Sequence, residues 1–436
     1  MFLHSTMYGL HHSTLANILE FSCFYVIQNV TPAAILITTR KGSPTRYLCI
    51  PWMIWIAGRF IRPFGASGSP IWCQAVTQLV IATLQAINLL LINPLDRRDI
   101  SSVADDSFGC QLIKAVRLIA QTRAINTPWQ VNKVPPHPKY YTRRGSPVPS
   151  RGRFLLRQLA IVCWQYLILD IVQTVSIQQA TDRGPSHGVT PHIEWVVPAA
   201  QWAERIATHL SIWLVVNRLI GDIAYRILSI VFVGICQDSP SDWPPAFGRI
   251  QRLVTLRGFW GDFWHQFVRQ PFTSISNYLA RDVLNLTRSS ILERYTNLFI
   301  VFLISAIFHV VVDILQSVPI DKSGSMPFYL AFVAGIMIED GAQEMWKFAS
   351  SRSSRGVTTE VLPESTPLWR RAIGGLWVAL WLGVTSTWYF TPMIQSTSED
   401  LRMVPFSLAK HVGLEPVIGI ALGYGAIIGL IFEVEI

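Results

Sequence analysis

Apolar runs long enough to cross a bilayer recur from end to end of this chain, and that leaves few folds open. About 20 mostly apolar residues span roughly 30 Å of hydrocarbon, and such runs occur at 13–38, 71–93, 154–177, 296–316, 327–348, 370–393 and 413–434. Two more are less regular. Residues 47–60 (YLCIPWMIWIAGRF) are short for a crossing, and 207–235 is long and carries Arg218, Asp222 and Arg226. Hydrocarbon offers no partner to a backbone N–H or C=O, so only helices and closed barrels can span it. Runs of this length without strand alternation select helices. The expected fold class is all-α: a polytopic transmembrane helical bundle of about nine spans, forming one membrane-embedded domain over residues 1–436.

Composition decides what the charge means. The chain is 50% hydrophobic and 14% charged, whereas soluble domains carry roughly a quarter charged residues. The net charge of +9 is not a nucleic-acid signature, because Lys and Arg gather in connections between apolar runs, as cytoplasmic loops do. Three basic connections, 94–153, 237–293 and 349–371, are each separated by an even number of expected spans. All three are therefore expected on the cytosolic side. Six cysteines are scattered singly with no Cys-x-x-Cys or Cys/His cluster, so neither a disulfide framework nor a metal site is expected.

Residues 301–313, VFLISAIFHVVVD, carry a Ser, a His and an Asp within apolar sequence. On a helix Ser305, His309 and Asp313 stand at i, i+4 and i+8, close to one face. The span centres near residue 306, which puts His309 about 4 Å from the bilayer midplane. An unpartnered polar group there costs several kcal/mol, so it must face the bundle interior or a wet cavity. One reading is a structural bond to a neighbouring helix. The other is catalytic: Asp313 accepts from one imidazole nitrogen and fixes the tautomer, leaving the other nitrogen as a base. The letters HVVVD also match the HxxxD of soluble CoA-dependent acyltransferases, but the membrane setting excludes that soluble fold.

The stretch DWPPAFGRIQRLVTLRGFWGDFWHQFVRQPF, residues 242–272, sets Phe259, Trp260, Phe263, Trp264 and Phe267 among Arg249, Arg252, Arg257 and Arg269. That pattern predicts an amphipathic interfacial helix, with rings at headgroup depth and cations toward water. Asp262 and His265, three apart beside the aromatic face, are the residues this reading leaves unexplained. Arg218, Asp222 and Arg226 form a second i, i+4, i+8 ladder. Neutralisation within the helix is its simpler reading, and guidance of a substrate is the alternative.

TLRGFWGDFWHQ followed some forty residues later by FLISAIFH resembles the membrane-bound O-acyltransferase superfamily. More narrowly it is similar to the wax-synthase-like branch that includes fungal terpenoid and meroterpenoid O-acetyltransferases. The family's F-x-x-D/R-x-W-[NH] segment matches Phe259, Trp260, Asp262, Trp264 and His265, although many relatives have Asn where this chain has His265. The family's S-[AG]-x-x-H helix matches Ser305, Ala306 and His309. RAINTPWQVNKVP, residues 123–135, resembles a third, less discriminating segment, and together the matches cover roughly residues 120–315.

The resemblance implies acyl transfer from a CoA thioester, with acetyl-CoA as co-substrate, no permanently bound cofactor and no metal. The acceptor would be a lipophilic alcohol dissolved in the bilayer. His309 would be the general base, and His265, or a donor such as Trp264, would bind the thioester oxygen and its developing charge. Trp260, Asp262 and Ser305 would line the substrate site. The polyanionic CoA should lie near the 237–293 connection, where Arg249, Arg252 and Arg257 are the expected contacts.

Other classes lack their hallmarks. A transporter should show matched halves or paired broken helices, and neither is evident. A membrane di-iron enzyme needs clustered His boxes, but His11–His12 stand alone. A prenyltransferase needs paired Asp-rich motifs, and Asp105–Asp106 has no partner. A serine hydrolase needs a G-x-S-x-G elbow, which is absent. Within the acyltransferases, a long-chain wax or sterol ester synthase is the alternative.

Overall fold

The computed structural model describes residues 2–65, 70–100, 107–142, 149–183, 195–236, 238–353, 367–396 and 403–433. Among these, the regular structure is helical throughout, and no strand occurs. Among the described residues, five helices are long and apolar enough to cross a membrane: Ile18–Thr38, Cys73–Ile92, Arg151–Gln179, Ile291–Leu315 and Leu414–Phe432. They answer five of the nine expected spans. The other four expected spans are also helical, in Pro44–Gly65, Arg218–Gly234, Ser325–Ser353 and Leu368–Ser396, but they fall short on apolarity. Arg46 and Arg59 interrupt the first, Asp222 and Arg226 the second, and Glu339 and Asp340 the third, while Trp, Gly, Ser and Thr dilute the fourth. Among the described residues a count of nine is therefore not confirmed.

The described chain separates into two compact units, Met1–Ala124 with Phe267–Asp321 and Ile125–Gln266 with Lys322–Ile436. Between helices immersed in lipid, apolar burial drives little association, so close packing and internal polar bonds hold the helices together. Both devices are visible in the first unit. Its core joins Phe21, Ile56, Phe60, Val76, Leu79 and Leu315. Gln28, fully buried, donates to the carbonyls of Met53 and Leu79 at 3.2 Å and to Thr83 Oγ1 at 2.8 Å.

Helix Ile291–Leu315 starts where its sequence directs. Ser290 accepts from the Glu293 N–H at 3.1 Å, and the Glu293 carboxylate returns to the Ser289 N–H at 3.2 Å, a variant of the Ser-x-x-Glu capping box. The same carboxylate accepts from Arg281 Nε and Asn297 Nδ2, both at 2.7 Å. Its 25 residues give a rod about 37 Å long, and a positive φ of 63° at Ser317 closes it.

In the second unit, helix Arg151–Arg183 packs on Arg218–Gly234 and on Leu414–Phe432, and Ala199–Ser211 packs on Leu368–Ser396. The long polar-containing stretch is one run: Ala199–Ser211 passes through a π-helical segment, Ile212–Asn217, into Arg218–Gly234. Within it Asp222 and Arg226 neutralise one another, which meets the simpler reading for that half of the ladder. Arg226 Nε lies 2.7 Å from Asp222 Oδ2, Gln165 Nε2 donates to the same oxygen at 2.7 Å, and Arg226 also bonds Gln158. Arg218 instead lays its guanidinium over the Phe263 ring, 5.5 Å from the centroid.

Candidate active site

The first motif does not form the amphipathic helix its aromatic spacing predicts. A three-residue α turn, Leu256–Gly258, runs directly into a π turn, Phe259–Phe263. Its start is capped twice: Thr255 Oγ1 accepts from the Gly258 N–H at 2.8 Å, and Glu339 accepts from the Leu256 N–H at 2.6 Å. Trp264 then turns extended, with φ −69° and ψ 155°, while its N–H reaches back to the Phe259 carbonyl at 2.7 Å. Wound this way, the rings point inward. Phe259 and Phe263 are fully buried and Trp264 nearly so.

These rings pack around Trp213, which lies 4.9 Å from Trp264, 6.2 Å from Phe259 and 6.1 Å from Trp260. Phe328 at 5.7 Å and Phe390 at 5.4 Å surround it further. Its indole N–H donates to Ser386 Oγ at 2.7 Å, as a buried Trp requires. The expectation of an outward aromatic face is thus corrected for Phe259, Phe263 and Trp264, because an aromatic core inside the unit absorbs them.

Two backbone approaches fix the turn. The Gly248 N–H donates to the Phe263 carbonyl at 2.8 Å, and a Cβ on Gly248 would stand 1.9 Å from the Asp262 carbonyl oxygen. Only glycine fits between these two strands of main chain. Gly248→Ala should displace the π turn, lower stability by about 1–3 kcal/mol and cut activity. Thermal unfolding in detergent together with an acetyl-transfer assay checks this, and an unchanged unfolding temperature would refute the fit argument.

His265 is half-buried, its ring 5.4 Å from Trp264 and edge-on to Phe247 at 5.8 Å. Asp262 is ion-paired with Lys133 at 2.8 Å. Trp260 meets Tyr329 and Phe332 at 5.8 and 5.1 Å. The three expected CoA contacts, Arg249, Arg252 and Arg257, are all exposed, and Arg257 bonds Asp340 at 2.8 Å.

The second motif lies in the first unit. His309 is half-buried on helix Ile291–Leu315, and its Nδ1 lies 2.8 Å from the Ser305 carbonyl. A carbonyl only accepts, so Nδ1 carries the proton and Nε2 holds the basic lone pair. Ser305 thus meets the imidazole through its main chain. Asp313 is itself buried, 3% exposed. The helix face around His309 is set by Phe308, which packs on Ile81 and Phe272, and by Ala306, fully buried.

Several residues that shape the site were not singled out from sequence. Glu339 and Asp340 carried a usable signal, since adjacent carboxylates inside an apolar run demand an explanation. Lys133 and Gln266 lay within the quoted segments without being picked out, and Trp213 and Gly248 carried no signal, because the roles of all four depend on contacts distant in sequence.

The model of the membrane bound O-acyl transferase family matches residues 243–331, which enclose both motifs. The chain is 37% identical over 424 residues to the acetyltransferase spyB of Aspergillus fumigatus, covering 95% of this chain and 71% of that protein. It is 35% identical to the acetyltransferase pyr8 of the same fungus, covering 95% of this chain and 97% of the relative. With the acetyltransferase TRI7 of Fusarium sporotrichioides it shares 32% identity over 97% of this chain and 96% of the relative. No solved structure shows a significant match.

Proposed function

This chain belongs to the membrane bound O-acyl transferase family, among its fungal acetyltransferases, and from that premise we propose how it works. It is an integral membrane enzyme of the transferase class that moves acetyl from acetyl-CoA to a hydroxyl of a terpenoid or meroterpenoid. The setting is secondary-metabolite biosynthesis in the endoplasmic reticulum.

The observation that carries the mechanism is the 2.8 Å bond from His309 Nδ1 to the Ser305 carbonyl. It supports Nε2 as the nitrogen that takes the acceptor's hydroxyl proton as that oxygen attacks the thioester carbon. The C–S bond then breaks, the ester leaves, and the imidazolium returns its proton to the CoA thiolate. His265, or a donor beside it such as Trp264, stabilises the charge that develops on the carbonyl oxygen. Trp260 and Asp262 shape the acyl end of the site. Arg249 and Arg252 remain the proposed contacts for CoA phosphates, and Arg257 would have to exchange Asp340 for that role. The test is to incubate microsomes carrying the protein with labelled acetyl-CoA and a panel of hydroxylated terpenoids. Label in an ester product supports the reading, and label in none of them rejects it.

Asp313→Asn should slow acetyl transfer by no more than about tenfold, because the Ser305 carbonyl already fixes the imidazole. A loss beyond a thousandfold would instead make Asp313 part of the proton-transfer machinery.

A further inference from the structure

His265 sits where the motif has least local support. The π turn ends at Phe263, and Trp264 is extended with its N–H closing the turn's last bond, so residues 265 and 266 lie outside any helix. Two contacts from a single distant residue bracket this stretch. The Lys133 carbonyl accepts from Gln266 Nε2 at 2.7 Å, and the Lys133 ammonium lies 2.8 Å from Asp262 Oδ1. Gln266 is only 2% exposed, and the Lys133 bond is the shorter of its amide's two, the other reaching the Gly261 carbonyl at 3.4 Å. Lys133 adopts φ 63°, a left-handed conformation uncommon for a residue with a side chain. Such backbone persists where surrounding contacts over-determine it. The adjoining segment is docked by further polar bonds, Asn126 Nδ2 to Asp242 at 2.7 Å and His137 Nε2 to the Ser241 carbonyl at 3.3 Å.

We infer that Lys133 is a positioning residue: it clasps residues 262 and 266 and thereby holds His265 in its working orientation. The inference rests on the role proposed above for His265. The ion pair contributes little stability as such, since the Lys133 side chain is 59% exposed and solvent-screened pairs are weak. Its contribution is geometric. Substituting the side chain removes one anchor and leaves the main-chain anchor, so the stretch loosens without unfolding. A small misplacement of a catalytic group costs far more rate than stability.

The test uses the full-length protein in detergent or nanodiscs, with Lys133→Met and Lys133→Arg compared with wild type. Lys133→Met should lower kcat about tenfold, with KM for acetyl-CoA within about twofold and the unfolding temperature unchanged. Hydrogen exchange should quicken at the amides of residues 264–266. Lys133→Arg, which can rebuild the pair with Asp262, should restore most of the rate. A raised KM for acetyl-CoA with unchanged kcat and unchanged exchange would overturn the inference and make Lys133 a contact for CoA phosphates. Unchanged kinetics and exchange would overturn it as well, leaving a surface pair. Should wild type acetylate no acceptor, the functional reading fails, yet the exchange measurement still decides whether Lys133 holds this stretch.

Discussion

Replacing His309 with alanine is expected to lower acetyl transfer by between about a hundredfold and ten-thousandfold, the range a positioned acid–base group contributes. The amount of protein inserted in the membrane should not change. An alcohol hydroxyl is scarcely ionised near neutral pH, so the attack depends on a base that removes the proton as the bond forms. The loss should be chemical rather than structural, for three reasons. Alanine is the best helix former, and position 309 lies well inside helix Ile291–Leu315. The Ser305 carbonyl keeps its place in the helical backbone ladder when the imidazole is removed. The ring is only half-buried, so the cavity left behind is modest compared with that from a core deletion. The measurement is ester formation from labelled acetyl-CoA in microsomes, normalised to membrane-inserted protein. A variant working at near wild-type rate would remove His309 from the mechanism.

How far the sequence could be read differs sharply between the two motifs. Helix Ile291–Leu315 was legible as a span over 296–316, because its apolarity is the highest of the five spanning helices, with a mean hydropathy of 2.7, whereas its first turn, capped by Ser290 and Glu293, lay outside that reading. The placement of Ser305, His309 and Asp313 along one helix followed directly. What the letters did not show is that the Ser305 main-chain oxygen engages Nδ1. Any helical His can bond back to its own preceding turn, and sequence spacing does not rank that bond against a carboxylate one turn ahead.

The aromatic motif was legible as a motif and misread as a shape. Rings at 259, 260, 263 and 264 fit the period of an α-helix as well as they fit a π turn, and the deciding contacts come from far along the chain. Glu339 caps the turn, Gly248 leaves room for it, and Trp213 gathers its rings. The shortfall in spans has a related cause. Glu339 and Asp340, which make helix Ser325–Ser353 too polar to qualify by composition, are committed to Leu256 and Arg257 within the same unit. Polar residues with internal partners lower the apolarity of a segment without exposing charge to lipid.

His265→Ala is the second large effect expected, a loss of about a hundredfold to a thousandfold, the range for one donor at a developing oxyanion. The comparison that gives this prediction its content is His265→Asn. Histidine and asparagine share an N–H donor but not a titratable nitrogen. If residue 265 serves by donating a hydrogen bond to the thioester oxygen, asparagine should retain far more activity than alanine. If it serves by transferring a proton, the two variants should fail alike. The surroundings leave either substitution structurally mild, since the ring touches the faces and edges of Trp264 and Phe247 while the turn itself is held by Gly248, Glu339 and Thr255. Single-turnover rates for the three proteins at saturating acetyl-CoA separate the cases. An alanine variant within threefold of wild type would take residue 265 out of the chemistry and leave the carbonyl oxygen to another donor, with the Trp264 indole the next to test.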